Sequence, residues 1–166
     1  MLLATNGTLT RILGVVSNDE IVVQLIKQQI HPISTKMPEF EDLATSRVLR
    51  RRVLLSGRRS RRRFIAAESL IAIDHLPPAT TEGLTETDHP IGELILANCL
   101  ETFKEEAGVW NAEFPSWVSV ADDQVTRSRA LARRYRIIFR GQPTFIITEH
   151  FLRDTFEPLC SSGIQQ

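Results

Sequence analysis

The sequence contains two pairs of strand-like runs, and each pair is joined by a short turn. The first pair covers residues 47–55 and 62–71, and the second covers residues 134–140 and 143–151, with Gly141 in its two-residue turn. A glycine between two alternating runs is a strong hairpin signal. Strands that follow one another directly, interrupted elsewhere by helices, favour an α+β fold with an antiparallel sheet over a doubly wound parallel sheet.

One charged residue in each hairpin lies on the apolar side of its strand. Because side chains alternate across a strand, Arg51 shares a face with Leu49 and Val53, and Glu149 shares a face with Ile147. A charge on a buried face is costly unless it is paired or meets a ligand. Two hypotheses are open: the two residues form one structural ion pair, or they mark opposite ends of a pocket for a small molecule with an anionic end and a hydroxylic end.

Apolar periodicity and chain breakers assign the remaining segments. The strongest helix signal covers residues 90–108 and includes Cys99, which is expected to be a small buried residue. The other expected elements are a short helix around residues 9–13, a strand at residues 21–26, a helical turn at residues 39–44, an acidic loop at residues 80–88, a short strand at residues 118–120 and a helical or looped segment at residues 122–132.

The composition is that of an ordinary globular protein. The 166 residues, of which 42% are hydrophobic and 24% charged, predict one domain over residues 1–166. Arginines crowd residues 47–63, but the net charge of zero and the lack of a recognisable motif argue against nucleic-acid binding. No run approaches the ~20 apolar residues of a membrane span, and the first residues do not form a secretion signal, so we expect a cytoplasmic protein without a membrane partner.

The sequence does not suggest a metal or a cofactor. The four histidines and two cysteines do not have the spacing of a zinc site. A glycine-rich phosphate loop and the G-x-S-x-G motif of serine hydrolases are both absent from the sequence. These observations exclude most redox and hydrolytic chemistry and leave small-molecule binding at the inward charges.

Five short motifs follow one another along the chain, at residues 7–10 (GTLT), 51–55 (RRVLL), 90–92 (PIG), 141–143 (GQP) and 148–151 (TEHF). Their order and spacing resemble the chorismate pyruvate-lyase family, the 4-hydroxybenzoate synthases, and most of all its branch from cyanobacteria and mycobacteria. The resemblance implies a twisted antiparallel sheet with flanking helices and a buried site closed by helical flaps. It also implies a cofactor-independent carbon–oxygen lyase that converts chorismate to 4-hydroxybenzoate and pyruvate, with quinone biosynthesis as the expected use of the product.

The resemblance also implies roles for individual residues. Arg51 matches the arginine that holds the ring carboxylate, Glu149 matches the carboxylate that contacts the ring hydroxyl, and Leu9 and Ile91 match residues that pack on the ring. Glu68 departs from the pattern, because the enterobacterial enzymes have a ligand-associated arginine there. The strand alternation allows Glu68 to point inward as well. The partner of the enolpyruvyl carboxylate and the base that takes the ring proton are left open.

A non-catalytic sensor is the alternative from another functional class. The ligand-sensing domain of many bacterial transcription regulators has the same fold and binds small acids in the equivalent cleft. Such regulators usually carry an N-terminal helix-turn-helix, whereas this sequence begins directly with the ligand domain, so the lyase is preferred. Turnover of chorismate would separate the two.

Overall fold

The computed structural model describes residues 9–32, 37–40, 43–118 and 128–156. Short 3₁₀ turns occur at Pro38–Phe40 and Ile73–His75. The helices and strands are α1 (Leu9–Ser17), β1 (Ile21–Pro32), β2 (Arg47–Gly57), β3 (Arg63–Ala72), α2 (Pro78–Glu86), α3 (Ile91–Ala97), β4 (Thr102–Glu113), β5 (Arg129–Phe139) and β6 (Gln142–Leu152).

Within the described ranges, the strands form one six-stranded antiparallel sheet with the order β1-β2-β3-β6-β5-β4. The first three strands form one meander and the last three form another, and the pairing of β3 with β6 joins them. Both predicted hairpins are therefore confirmed, and they lie side by side at the centre of the sheet. The α+β class with an antiparallel sheet is also confirmed.

Each face of the sheet carries two clusters of buried apolar side chains, one toward each end of the central strands. Two-residue alternation along the middle of β2, β3 and β6 separates the two faces, as expected for strands that are covered on both sides. On the face that carries Arg51 the clusters are centred on Leu49, Ile71 and Phe145 and on Leu55, Ile65 and Phe151; on the opposite face they are centred on Val48, Leu70 and Ile146 and on Leu54, Ala66 and Leu152.

The helix predicted for residues 90–108 is wrong beyond Ala97. The apolar periodicity holds for the seven residues of α3, and the chain then turns at Cys99, whose φ of 51° lies in the left-handed region. Cys99 is exposed rather than buried. Residues from Thr102 onward form β4, an edge strand whose mixed polar sequence does not alternate cleanly.

Other boundaries also differ from the predictions. The acidic loop predicted for residues 80–88 is largely α2, whose buried residues are only Thr80 and Leu84, too few for a clear periodic signal. The segment at residues 122–132 was predicted to be helical or looped, but β5 already begins at Arg129. The strand predicted for residues 118–120 falls mostly outside the described residues. Among the described helices, none combines the length and the apolar character that a membrane crossing requires.

Candidate active site

A cavity of about 540 Å³ lies between one face of the sheet and the two helices α1 and α3. Ala67 and Ser69 of β3 form part of the cavity floor. This strand lies between β2, which carries Arg51, and β6, which carries Glu149. Because the side chains of Ala67 and Ser69 are small, they leave open space above the middle of the sheet. The roof is contributed by Leu9 of α1 and by Ile91 and Ile95 of α3. The volume is within the usual range for small-molecule sites.

All four site residues predicted from the sequence line this cavity: Leu9, Arg51, Ile91 and Glu149. Arg51 is paired with Ser69 in the sheet register, and Glu149 is paired with Ala67, two residues along the same strand. The Cα atoms of Arg51 and Glu149 are therefore separated by two strand spacings and one two-residue step, roughly 12 Å. The two charges project into one space from different strands.

Arg51 is 2% exposed, yet most of its hydrogen-bonding capacity is unused. Its Nη2 donates to the carbonyl oxygen of Thr87 at 3.2 Å. Its Nε and Nη1 do not have a hydrogen-bond partner among the described residues. Burial lowers the pKa of Arg51 and the charge of Asp88 opposes that change; since arginine starts far above neutral pH, the group remains a cation. The site thus holds a buried guanidinium with donors open to a ligand.

Glu149 is 5% exposed, and donors hold both of its carboxylate oxygens. Oε2 accepts hydrogen bonds from Nη2 and Nε of Arg133 at 2.5 and 3.1 Å. Oε1 accepts a hydrogen bond from the Tyr135 hydroxyl at 3.0 Å. The hypothesis that Arg51 and Glu149 form one structural ion pair is therefore wrong, because Glu149 pairs with Arg133.

Tyr135 acts as a hydrogen-bond donor in this arrangement. Burial raises the pKa of Tyr135 well above its ordinary value, and the nearby charge of Glu149 raises it further. The phenol therefore keeps its proton throughout the neutral range. The Arg133 guanidinium lies 5.1 Å from the centroid of the Tyr135 ring and 5.6 Å from that of Phe151. This stacking helps to hold the arginine against the carboxylate.

Arg133 and Tyr135 were not among the residues predicted from the sequence. Tyr135 and Ile137 both line the cavity, and extending their alternation back by one step puts Arg133 on the same face. The two-residue alternation that identifies Arg133 is therefore present in the sequence, but the predicted strand begins at residue 134 and leaves Arg133 out. The register pairs Arg133 directly with Glu149, so the sheet itself aligns the two charges.

Glu68 does not line the cavity, and the inward orientation that its alternation allowed is wrong. It is directly opposite Arg52 in the register, and the Nε of Arg52 lies 2.6 Å from its Oε2. Both residues are on the face of the sheet that is opposite to Arg51. Glu68 is thus accounted for by a structural ion pair.

Taken together, the cavity has a cationic donor end, a carboxylate acceptor end and apolar walls. The rest of the lining is rich in aliphatic side chains, which would pack on a flat ring: Val53, Leu55, Ile91, Ile95, Ile137 and Ile147. Such a site suits a small acid with a hydroxyl group at its far end. Within the described part of the chain, His, Cys, Asp and Glu side chains do not form a group of three that could hold a metal ion.

The family model described as "Chorismate pyruvate-lyase Rv2949c-like" matches residues 3–157. The chain belongs to this family. A chorismate pyruvate-lyase of Mycobacterium tuberculosis (strain H37Rv) is 52% identical over 159 residues, which cover 94% of this chain and 80% of the relative. The enzyme of the same name from Mycobacterium leprae is 52% identical over 157 residues, covering 95% and 75%.

Solved structures with the same fold include bacterial transcription regulators. The effector domain of PhnF from Mycobacterium smegmatis matches with a TM-score of 0.64 at 12% identity, covering 89% of this chain and 90% of that domain. A GntR-family regulator from Bacillus cereus matches with a TM-score of 0.62 at 14% identity, covering 83% and 95%. At these identities the likeness shows the fold alone.

Proposed function

We propose that this chain is a chorismate pyruvate-lyase, which converts chorismate to 4-hydroxybenzoate and pyruvate. The observation that carries the proposal is the cavity itself, in which an open, buried guanidinium and a fixed carboxylate face the same apolar space. Support also comes from the 52% identity to relatives that bear this name.

The chemistry demands little of the protein beyond positioning. The bond between the ring and the ether oxygen breaks, the ring loses a proton, and the enolpyruvyl fragment gains one to become pyruvate. Because the ring becomes aromatic, the reaction is strongly downhill. A site that fixes the orientation of the substrate and stabilises developing charge in a dry cavity can supply much of the rate enhancement.

In this proposal Arg51 binds the ring carboxylate. Its guanidinium carries five N–H donors in a planar fork, and Thr87 accepts only one of them. A carboxylate can therefore be bound through two parallel hydrogen bonds, which also fix the plane of the ring. Lysine could not reproduce this geometry.

Glu149 accepts a hydrogen bond from the ring hydroxyl and sets the direction of the substrate. Its own orientation is fixed by Arg133 and Tyr135, so it need not reorganise when the substrate binds. Leu9 and Ile91 pack against the ring from the roof of the cavity. Since 4-hydroxybenzoate keeps the carboxylate and the hydroxyl, we expect it to bind tightly and to leave slowly, which produces product inhibition.

The direct experiment mixes purified protein with chorismate and follows pyruvate and 4-hydroxybenzoate. Arg51→Ala and Glu149→Ala should each lower kcat/KM by at least about a hundredfold, as expected for a lost charged contact in a dry site. Arg58→Ala is the matched control, because Arg58 lies in the β2–β3 turn and pairs with Glu20 at the surface. Normal turnover by both site variants would reject the assignment of the site.

The same experiment distinguishes the lyase from the alternative, a non-catalytic sensor. Protein that binds chorismate or 4-hydroxybenzoate but never releases pyruvate would fit the non-catalytic alternative, whose fold the GntR-family regulators share. Use of the product in quinone biosynthesis, a cytoplasmic location and the absence of a nucleic-acid partner stay predictions from the sequence.

A further inference from the structure

Chorismate carries a second carboxylate, on its enolpyruvyl group, and Arg51 cannot bind both. The ether oxygen is attached to the ring carbon next to the one that bears the hydroxyl. If Arg51 holds the ring carboxylate and Glu149 the hydroxyl, as proposed above, the enolpyruvyl carboxylate must lie toward the Glu149 end of the cavity. A cation is needed there, and Glu68 is on the wrong face to be relevant.

Lys104 of β4 is a cation at that end. It lines the cavity, and its Nζ lies 4.0 Å from the centroid of the Tyr135 ring. The hydroxyl of the same tyrosine donates to Oε1 of Glu149. One aromatic ring therefore connects the ammonium group to the carboxylate that receives the ring hydroxyl, which puts Lys104 beside the expected position of the enolpyruvyl group.

The surroundings of Lys104 leave its charge available to a ligand. Its side chain is 25% exposed, and its ion-pair partner Glu106 is 3.5 Å away and 52% exposed. A long contact with a half-exposed carboxylate is weak, so a substrate carboxylate can replace it. An ammonium group at the edge of the cavity can also follow a flexible enolpyruvyl group, because lysine binds as a mobile point charge.

The other cations in the cavity lining are less suited to this role. Arg133 is buried and donates to Glu149 through Nε and Nη2. Arg11 is exposed on α1, in the roof of the cavity. Arg133 also stacks on the Tyr135 ring, but it is 2% exposed and already holds Glu149, whereas Lys104 combines its contact with that ring with partial exposure.

We propose that Lys104 binds the enolpyruvyl carboxylate of chorismate and so distinguishes substrate from product. This inference rests on the lyase function proposed above. It explains how the site accepts a dianion when Arg51 binds only one of the two carboxylates. It also gives a physical difference between chorismate, which contacts Lys104, and 4-hydroxybenzoate, which lacks the second carboxylate.

The test compares Lys104→Met with Lys27→Met, a lysine exposed on β1 that does not line the cavity. Lys104→Met should raise the KM for chorismate by about tenfold or more, the scale of one lost ionic contact. Its inhibition constant for 4-hydroxybenzoate should change less than twofold. Lys104→Arg should restore most of the affinity for chorismate, and Lys27→Met should behave as the wild type.

Two results would overturn the inference while the wild type remains an active lyase. One is wild-type kinetics in Lys104→Met. The other is an equal weakening of chorismate and 4-hydroxybenzoate, which would make Lys104 a residue that merely supports Tyr135. Failure of the wild type to release pyruvate from chorismate would instead reject the proposed function. Thermal unfolding of each variant checks that the substitution has not disturbed the fold.

Discussion

The two faces of the sheet each carry a row of polar residues between two apolar clusters, and the rows differ in what their charges contact. We call the row on the cavity face the cavity band and the row on the opposite face the outer band. The cavity band consists of Arg51, Ser69, Glu149, Arg133 and Tyr135, and the outer band of Arg52, Glu68, Thr148 and Arg134.

The polar side chains of the outer band bind one another. Arg52 pairs with Glu68 at 2.6 Å, and the Nε of Arg134 donates to Oγ1 of Thr148 at 3.0 Å. The side chains of the Arg52–Glu68 pair are about a quarter exposed, and the guanidinium stacks over Trp117 at 5.4 Å. Water and protein together satisfy these groups, so this band needs no ligand to be stable.

The cavity band also combines arginines with a glutamate, but all of its residues except the partly buried Tyr135 are buried. Arg133 and Glu149 satisfy each other there, whereas Arg51 keeps donors without a partner among the described residues. An unsatisfied buried cation is costly, and the cavity beside it provides the place for an anion. The two bands lie at neighbouring positions of the same strands. One row thus forms a structural ion pair, and the other lines a candidate binding site.

Matched arginine substitutions should give the largest difference between the bands. Arg133→Met leaves Glu149 as a buried carboxylate without its cation, and we expect it to lower the free energy of unfolding by about 3–5 kcal/mol. Arg52→Met leaves Glu68 partly in water, so the loss should be at most about 1 kcal/mol. Urea-induced unfolding of both variants measures the two values.

A double variant provides the control for this comparison. Arg133→Met combined with Glu149→Met removes both buried charges and should recover much of the stability that Arg133→Met loses. If Arg133→Met and Arg52→Met lower the free energy of unfolding equally, the difference in burial between the bands does not affect stability. Failure of the double variant to recover stability would mean that lost packing, and not the orphaned carboxylate, causes the effect.

The difference between the bands was partly visible in the sequence. Two-residue alternation predicts that Arg51 and Glu149 lie on an apolar face, and the structure confirms that orientation. The prediction succeeds because both strands are interior strands of the sheet, where the alternation is regular. Alternation could not say that Glu149 pairs with Arg133, since the pairing of β5 with β6 depends on the turn and the register. For Glu68, it gave no means of telling the cavity face from the opposite face, which is also covered by apolar clusters.

The edge of the sheet was harder to predict than its centre. Residues of β4 face water on one side, so their hydrophobic pattern is weak, and the helical periodicity of α3 was extended across Cys99 into the strand. Lys104 was missed for this reason. The cavity wall that it forms depends on a strand that the sequence pattern assigned to a helix.

The next largest effect should come from Tyr135→Phe, which changes the cavity band without removing a charge. The variant removes the hydrogen bond to Oε1 of Glu149 and leaves Arg133 on Oε2. A hydrogen bond to a charged group contributes about 1.5–3 kcal/mol, so kcat/KM should fall by about ten- to a hundredfold. Steady-state kinetics with chorismate measures the loss.

The affinity of the Tyr135→Phe variant for 4-hydroxybenzoate tests the role of the tyrosine. If Tyr135 orients Glu149 toward the ring hydroxyl, 4-hydroxybenzoate should bind more weakly as well, because it keeps the hydroxyl. Unchanged kinetics and unchanged product inhibition would show that Arg133 alone fixes the carboxylate. The expected result also separates Tyr135 from Lys104, whose removal should leave product binding nearly unchanged.

The smallest effect is expected for Glu68→Gln in the outer band. Glutamine keeps the size of the side chain and one acceptor for the Nε of Arg52, while Arg52 retains its stacking on Trp117 and its access to water. Unfolding free energy should change by less than about 1 kcal/mol, and kcat/KM by less than about twofold. Thermal unfolding and the pyruvate assay measure the two quantities. A loss of activity as large as that of Glu149→Ala would connect the outer band to the reaction and remove the distinction between the two faces.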